Sequence, residues 1–91
     1  MIDKRKTKQA LAQHYKGMTG KTYRHFKGGL YLVTDIAVHS ESADLMVIYR
    51  SVDDPSLVWA RPLDMFLSDV DKEKYPLIRQ DKRFVEVNDE E

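Results

Sequence analysis

Two stretches of alternating apolar residues, separated by a short polar loop, constrain the fold of this chain most strongly. Residues 30–39 and 45–52 place apolar side chains at every second position, and the polar segment 40–43 lies between them. Because successive side chains of a strand point to opposite faces, a period of two predicts two strands. The short connection predicts that they form an antiparallel hairpin.

The first of these strands has two partly apolar faces, which predicts that both are covered by other parts of the chain. One predicted face contains Leu30, Leu32, Thr34, Ile36 and Val38, and the other contains Tyr31, Val33, Asp35, Ala37 and His39. In the second strand, Leu45, Val47 and Tyr49 share one face.

More short strands follow the hairpin. Residues 57–61 predict a third strand, and Pro62 starts a helical turn whose apolar face contains Leu63, Phe66 and Leu67. Short strands are also expected at residues 77–78 and 84–87. Several short strands joined by tight turns are typical of a small antiparallel β-barrel or a strongly bent sheet.

The N-terminal segment predicts a helix over residues 2–18, capped by Asp3 and followed by a connector over residues 20–29. The predicted apolar stripe of this helix contains Ala10, Leu11, His14, Tyr15 and Met18. The sequence thus divides into a basic helix with its connector (1–22), one small β-barrel domain (23–87) and an acidic tail (88–91).

Opposite charges are segregated along the chain. The 91 residues have a net charge of zero, but residues 1–29 contain eight basic residues and one acid, and the remainder contains seven basic and fourteen acidic residues. The basic arm can bind an anionic partner such as nucleic acid through its phosphates, or it can pair with the acidic surface of the chain itself.

Composition excludes several classes of protein. The chain has no cysteine, which excludes disulfides, thiolate metal sites and cysteine nucleophiles within it. No apolar run has the length of a membrane helix, and the basic N-terminus lacks the apolar core of a signal peptide. We therefore expect a cytoplasmic protein with no membrane partner. The histidines have no metal-ligand spacing, and no nucleotide-binding motif is present, so we expect no metal and no cofactor.

Four short segments occur together in an order that resembles a known family. They are Tyr-Arg-His-Phe-Lys-Gly at 23–28, His-Ser-Glu at 39–41, Tyr-Arg at 49–50 and Trp-Ala-Arg-Pro-Leu-Asp-Met-Phe at 59–66. This pattern resembles a bacterial family of small domains of unknown function. The resemblance implies an SH3-like β-barrel and no agreed activity. The chain departs from the family pattern after the glycine pair and in the turn at 53–56.

The same segments supply the candidate binding residues. Cationic side chains neutralise an anionic ligand and aromatic faces stack on it. We therefore predict a non-enzymatic module that binds a small anionic ligand or an acidic peptide. The predicted ligand-binding residues are Tyr23, Arg24, His25, Lys27, His39, Glu41, Trp59 and Arg61.

Other interpretations of these residues stay open at this point. Tyr23 and Trp59 can be core residues, and Arg61 can be an ion-pair partner. His39 can end its strand while Ser40 and Glu41 shape the hairpin, because neighbours on an extended chain cannot assemble a catalytic triad. The alternative functions are a nucleic-acid-associated protein that uses the basic helix, and an enzyme that uses His39 or His25 with Glu41.

Overall fold

The computed structural model describes residues 4–87 and is mainly β, with a short N-terminal helix. The expectations for Asp3 and for the tail at 88–91 lie outside the described residues. The elements in chain order are α1 (Lys4–Tyr15), a 3₁₀ turn (Lys16–Met18), β1 (Thr22–His25), β2 (Leu30–Val38), β3 (Leu45–Ser51), β4 (Val58–Pro62), α2 (Leu63–Phe66) and β5 (Phe84–Glu86).

The five strands form one antiparallel sheet in the order β4-β3-β2-β1-β5. Within residues 4–87, β4 pairs only with β3 and β5 only with β1, so the hydrogen-bonded sheet has two edges and does not close into a barrel. Side chains fill the space between the edges instead, because α2 follows β4 directly and places Phe66 against Phe84, with the two rings parallel at 4.0 Å.

A bulge in β2 changes which residues face the core. The pairing with β3 shifts between Val33 and Asp35, so one residue is extra at that point. Val33 and Ile36 are both buried, although the uninterrupted alternation assigned them to opposite faces. That assignment was wrong beyond Thr34, since an extra residue inverts the alternation. The prediction for β3 is confirmed, because Leu45, Val47 and Tyr49 are all buried.

The helix α1 packs on the sheet through a different face from the one predicted. Ala12 is buried, whereas Leu11 is 44% exposed and His14 is also exposed. Tyr15 and Met18 pack against the core as expected. A small residue at the point of contact lets the helix backbone approach the sheet, which explains why the larger Leu11 lies outside.

Two other local predictions were wrong. The connector contains a strand, β1, which pairs with β2 on one side and β5 on the other. Leu77 lies in a turn and is 93% exposed, so residues 77–78 form no strand. This segment is held instead by Lys72, whose ammonium donates to the carbonyl oxygens of Ile78 and Gln80. The helical turn α2 is present, with Leu63 buried but Leu67 exposed.

Candidate functional site

The turn between β1 and β2 presents His25 and Lys27 at one end of the sheet. Gly28 and Gly29 have φ angles of +97° and +84°, which favour glycine, and the Gly28 N–H donates to the carbonyl of His25 at 2.8 Å. The Lys27 N–H donates to Nδ1 of His25 at 3.1 Å. The glycine pair and this hydrogen bond together fix the direction of the imidazole.

Beside this turn lies a cleft of about 380 Å³, which we call the His25 cleft. Its walls come from β1, β2, β3, β4 and β5, because the bent sheet directs side chains of both edge strands into the same cleft. The lining residues are His25, Lys27, Gly28, Tyr31, Tyr49, Trp59, Arg61 and Phe84.

Arg61 is held in place from two sides. Its Nε donates to the hydroxyl of Tyr49 at 3.1 Å, and its guanidinium carbon lies 5.8 Å from the centre of the Phe84 ring. No carboxylate of residues 4–87 forms an ion pair with it. The guanidinium is thus oriented while its charge has no carboxylate partner in the described part of the chain, which suits recognition of an anion.

A second depression of about 430 Å³ continues from the His25 cleft. The two share His25, Lys27 and Arg61, and the second adds Arg83, Lys74 and Tyr75. The carboxylate of Asp71, which also lines it, accepts hydrogen bonds from the backbone N–H groups of the next turn.

The aromatic and cationic residues of this depression affect each other. Lys27 lies 5.0 Å from the centre of the Tyr75 ring, and its hydrogen bond and charge, with the charge of Lys74, lower the pKa of the Tyr75 hydroxyl. Arg83 donates from its Nε to the hydroxyl of Ser68 at 3.1 Å and has no ion-pair partner among the described residues.

Positive potential dominates around His25. Burial, followed by the charges of Arg61, Arg83 and Lys27, holds the pKa of the imidazole below its usual value of 6.5. Among the described residues, the charges that lower this pKa are all cationic. The cleft therefore favours a neutral histidine and attracts negative charge.

A family comparison agrees with the resemblance drawn from the sequence. Residues 21–86 match a family described as "Protein of unknown function (DUF1653)". The chain belongs to this family. A crystal structure of a DUF1653 protein from Bordetella bronchiseptica is similar to this chain with a TM-score of 0.61 and 26% identity, covering 76% of this chain and 86% of that one. A comparison with curated proteins finds no match.

The DUF1653 fold brings four of the eight predicted binding residues together. His25, Lys27, Trp59 and Arg61 all line the His25 cleft. Trp59 is 48% exposed and therefore forms a wall of the cleft and not the centre of the core. Its ring has no aromatic partner in the described part of the chain.

The other four predicted residues lie elsewhere. Tyr23 is a core residue, 9% exposed, whose ring meets Phe66 edge-on at 5.3 Å. Arg24 is exposed on the opposite face of β1, because neighbouring strand residues point in opposite directions. His39 and Glu41 lie in the β2–β3 loop, on the order of 25 Å along the strand from the cleft at about 3.3 Å per residue.

The β2–β3 loop shows what His39 does locally. Its Nδ1 accepts hydrogen bonds from the backbone N–H groups of Glu41 and Ser42, at 3.1 and 3.2 Å. Because His25 lies at the other end of β2, the fold separates it from Glu41 and does not assemble the pair of His25 with Glu41, one of the two that the enzymatic alternative named.

Sequence reasoning missed Arg83, Tyr31 and Tyr75. Arg83 precedes a short strand with no motif of its own, and it reaches the depression beside the His25 cleft because His25 pairs with Phe84 across β1 and β5. These residues are far apart in sequence, so only the strand pairing identifies Arg83. Residues 4–87 contain no cluster of three His, Asp or Glu side chains suited to a metal ion. Over the same range, no helix is long and apolar enough to cross a bilayer.

Proposed function

We propose that this DUF1653 domain is a non-enzymatic binding module that recognises a small anionic ligand or an acidic peptide in the His25 cleft. The observation that carries the proposal is the group of three cations, Lys27, Arg61 and Arg83, around His25 with no ion-pair partner among residues 4–87. Charge-assisted hydrogen bonds to such groups are stronger than neutral ones.

Aromatic side chains complete the proposed site. Trp59 and Tyr31 supply apolar walls, and Arg61 is oriented by Tyr49 before any ligand arrives. Orientation in advance lowers the entropy lost on binding. The same arrangement supports a finer description of the fold as an open SH3-like barrel, because the Phe66–Phe84 stack brings the two edges of the sheet close.

Isothermal titration calorimetry with inorganic pyrophosphate and with a short glutamate peptide tests this function. We expect the folded protein to bind at least one of them, and Arg61→Gln and Arg83→Gln each to weaken that binding about tenfold, since a charged hydrogen bond contributes about 1.5–3 kcal/mol. Lys82→Gln is the matched control, because Lys82 already pairs with Asp69 at 2.7 Å. Binding of neither anion, or equal binding by all variants, contradicts the proposal.

A nucleic-acid role for the basic N-terminal arm takes second place. Lys16 pairs with Asp35, and Lys21 lies 3.7 Å from Glu86, so these two lysines bind carboxylates of the chain itself. This favours the self-complementary interpretation of the segregated charge for these residues. A salt titration with single-stranded DNA distinguishes nucleic-acid binding by the arm from its pairing with the chain itself, because phosphate contacts give a steep dependence on salt.

A further inference from the structure

Strand β4 has an open edge. Among residues 4–87 it pairs only with β3, in a register that runs from Arg50 opposite Val58 to Met46 opposite Pro62. The outward N–H and C=O groups of a strand in this position are free to pair with another extended chain.

At the other edge of the sheet, the segment that leads into β5 is paired. Next to β5, the Arg83 N–H donates to the carbonyl of Ser68 at 2.9 Å, and the Val70 N–H donates to the carbonyl of Asp81 at 2.7 Å. An additional pairing joins Asp69 and Lys82. Within the described part of the sheet, β4 with five residues therefore offers a longer unpaired edge than β5 with three.

The β4 edge has only part of the usual protection against pairing. Natural edge strands carry charges, prolines or bulges that prevent association. In β4 the charge of Arg61 points inward to the cleft and Pro62 stands at the end of the strand, while residues 57–60 carry no charge. Leu57, Val58 and Trp59 are 46%, 54% and 48% exposed, so an apolar surface accompanies the free edge.

The inner face of β4 joins this edge to the His25 cleft. Trp59 and Arg61 are two residues apart and both line the cleft. A strand added beside β4 places every second side chain about 4.5–5.5 Å from them, measured between Cβ atoms. A carboxylate in those positions reaches Arg61, and the other unpaired cations of the cleft lie beyond it.

We propose that β4 binds an extended acidic peptide by strand addition, with its alternate acidic side chains in the His25 cleft. This inference rests on the proposed function and names its ligand class. Main-chain hydrogen bonds to β4 supply affinity, and the cations select acidic side chains. A small anion fills the cleft but leaves the apolar edge uncovered, whereas a peptide covers both.

Charge also argues against a second copy of this chain as the occupant. Two β4 strands pairing antiparallel bring two cationic clefts side by side, each with Arg61 close to the new strand. Like charges on neighbouring strands are destabilising. An acidic peptide neutralises the same charges.

Backbone methylation of a probe peptide tests strand addition. The probe is a hexapeptide that alternates glutamate and valine, and two versions carry N-methyl groups on alternate residues, one on the glutamates and one on the valines. In strand addition only one set of N–H groups faces β4, so we expect one version to bind about tenfold or more weakly and the other to bind like the parent. Amide exchange at residues 58–61 is expected to slow when the parent peptide binds.

The controls separate this inference from the proposed function. A peptide with glutamine in place of glutamate is expected to bind about tenfold more weakly. Equal binding by both methylated versions, with no change in exchange at β4, overturns strand addition. If pyrophosphate then still binds in an Arg61-dependent way, the anion-binding function stands alone. Concentration-dependent dimerisation through β4 without peptide binding overturns the inference in favour of a second copy. Failure of both pyrophosphate and peptide to bind overturns both proposals.

Discussion

His25 and His39 make the same local hydrogen bond in different surroundings. In each case, Nδ1 accepts a bond of 3.1 Å from the backbone N–H two residues later, which belongs to Lys27 in one turn and to Glu41 in the other. His25 is half-buried beside Lys27, Arg61 and Arg83, which have no ion-pair partner among residues 4–87, whereas His39 is exposed in a loop.

The comparison shows that a histidine in a short polar motif does not by itself identify a binding site. What distinguishes the two turns is the pairing of distant strands, which places Arg61 from β4 and Arg83, the residue before β5, beside His25. We therefore place the proposed binding site at the His25 end of the sheet.

The largest expected effect concerns stability at the two ends. Phe84 stacks on Phe66 at 4.0 Å and also meets Tyr49 and His25. Phe84→Ala is expected to cost about 3–5 kcal/mol of unfolding free energy, because it leaves a cavity beneath the cleft. His39→Ala is expected to cost less than about 1.5 kcal/mol, since it removes only exposed hydrogen bonds. Urea denaturation measures both, and similar losses at the two ends contradict the comparison.

Fluorescence of Trp59 provides the next test, since it is the only tryptophan of the chain. We expect iodide to quench its emission several-fold more strongly than caesium, because the neighbouring cations concentrate anions at the cleft. Arg61→Gln is expected to reduce the difference, while Arg24→Gln, on the opposite face of β1, leaves it unchanged. Equal quenching by iodide and caesium argues against a cationic cleft.

The sequence predicts the local parts of this site better than its assembly. The alternation in residues 45–52 correctly predicts β3, and the resemblance in residues 23–28 and 59–66 correctly identifies the family. The sequence does not reveal the bulge near Thr34, because the alternation continues unbroken through the extra residue. It inverts the side-chain faces, which explains why Ile36 was assigned to the wrong one.

Other features depend on contacts between distant residues. β1 is short and lies between glycines, so its sequence is typical of a connector, and only pairing on both sides makes it a strand. Arg83 enters the site through the same pairing. The placement of Arg24 away from the cleft follows from strand geometry, but only once β1 is known to be a strand.

The pH dependence of stability sharpens the comparison further. Because the pKa of folded His25 is below its usual 6.5, the unfolded chain binds the proton first as the pH falls. The free energy of unfolding is therefore expected to decrease as the pH falls from the usual pKa of histidine to the lowered pKa of His25 in the folded protein. In the His25→Gln variant this part of the decrease is expected to be absent. Urea midpoints between about pH 7.5 and about pH 5 measure the difference. Identical pH profiles contradict the assignment.

The smallest expected effect concerns the paired lysines. The hydrogen bond from Lys16, with that of the Ile36 N–H, holds the pKa of Asp35 below its usual value. Asp35→Asn is expected to reduce stability by about 0.2–1 kcal/mol, as for other exposed ion pairs, and to leave pyrophosphate binding unchanged. A marked change in anion affinity on this substitution indicates that the paired lysines also act as a binding site.

The most direct test of the central claim is a nuclear magnetic resonance titration of the protein with inorganic pyrophosphate, observing backbone amides, arginine Nε–H groups and the indole N–H. We expect saturable shifts at His25, Trp59, Arg61 and Arg83, and no change at residues 39–44. Shifts that are largest at the His39 loop or at the N-terminal lysines, or the absence of any saturable shift at the His25 cleft, contradict it.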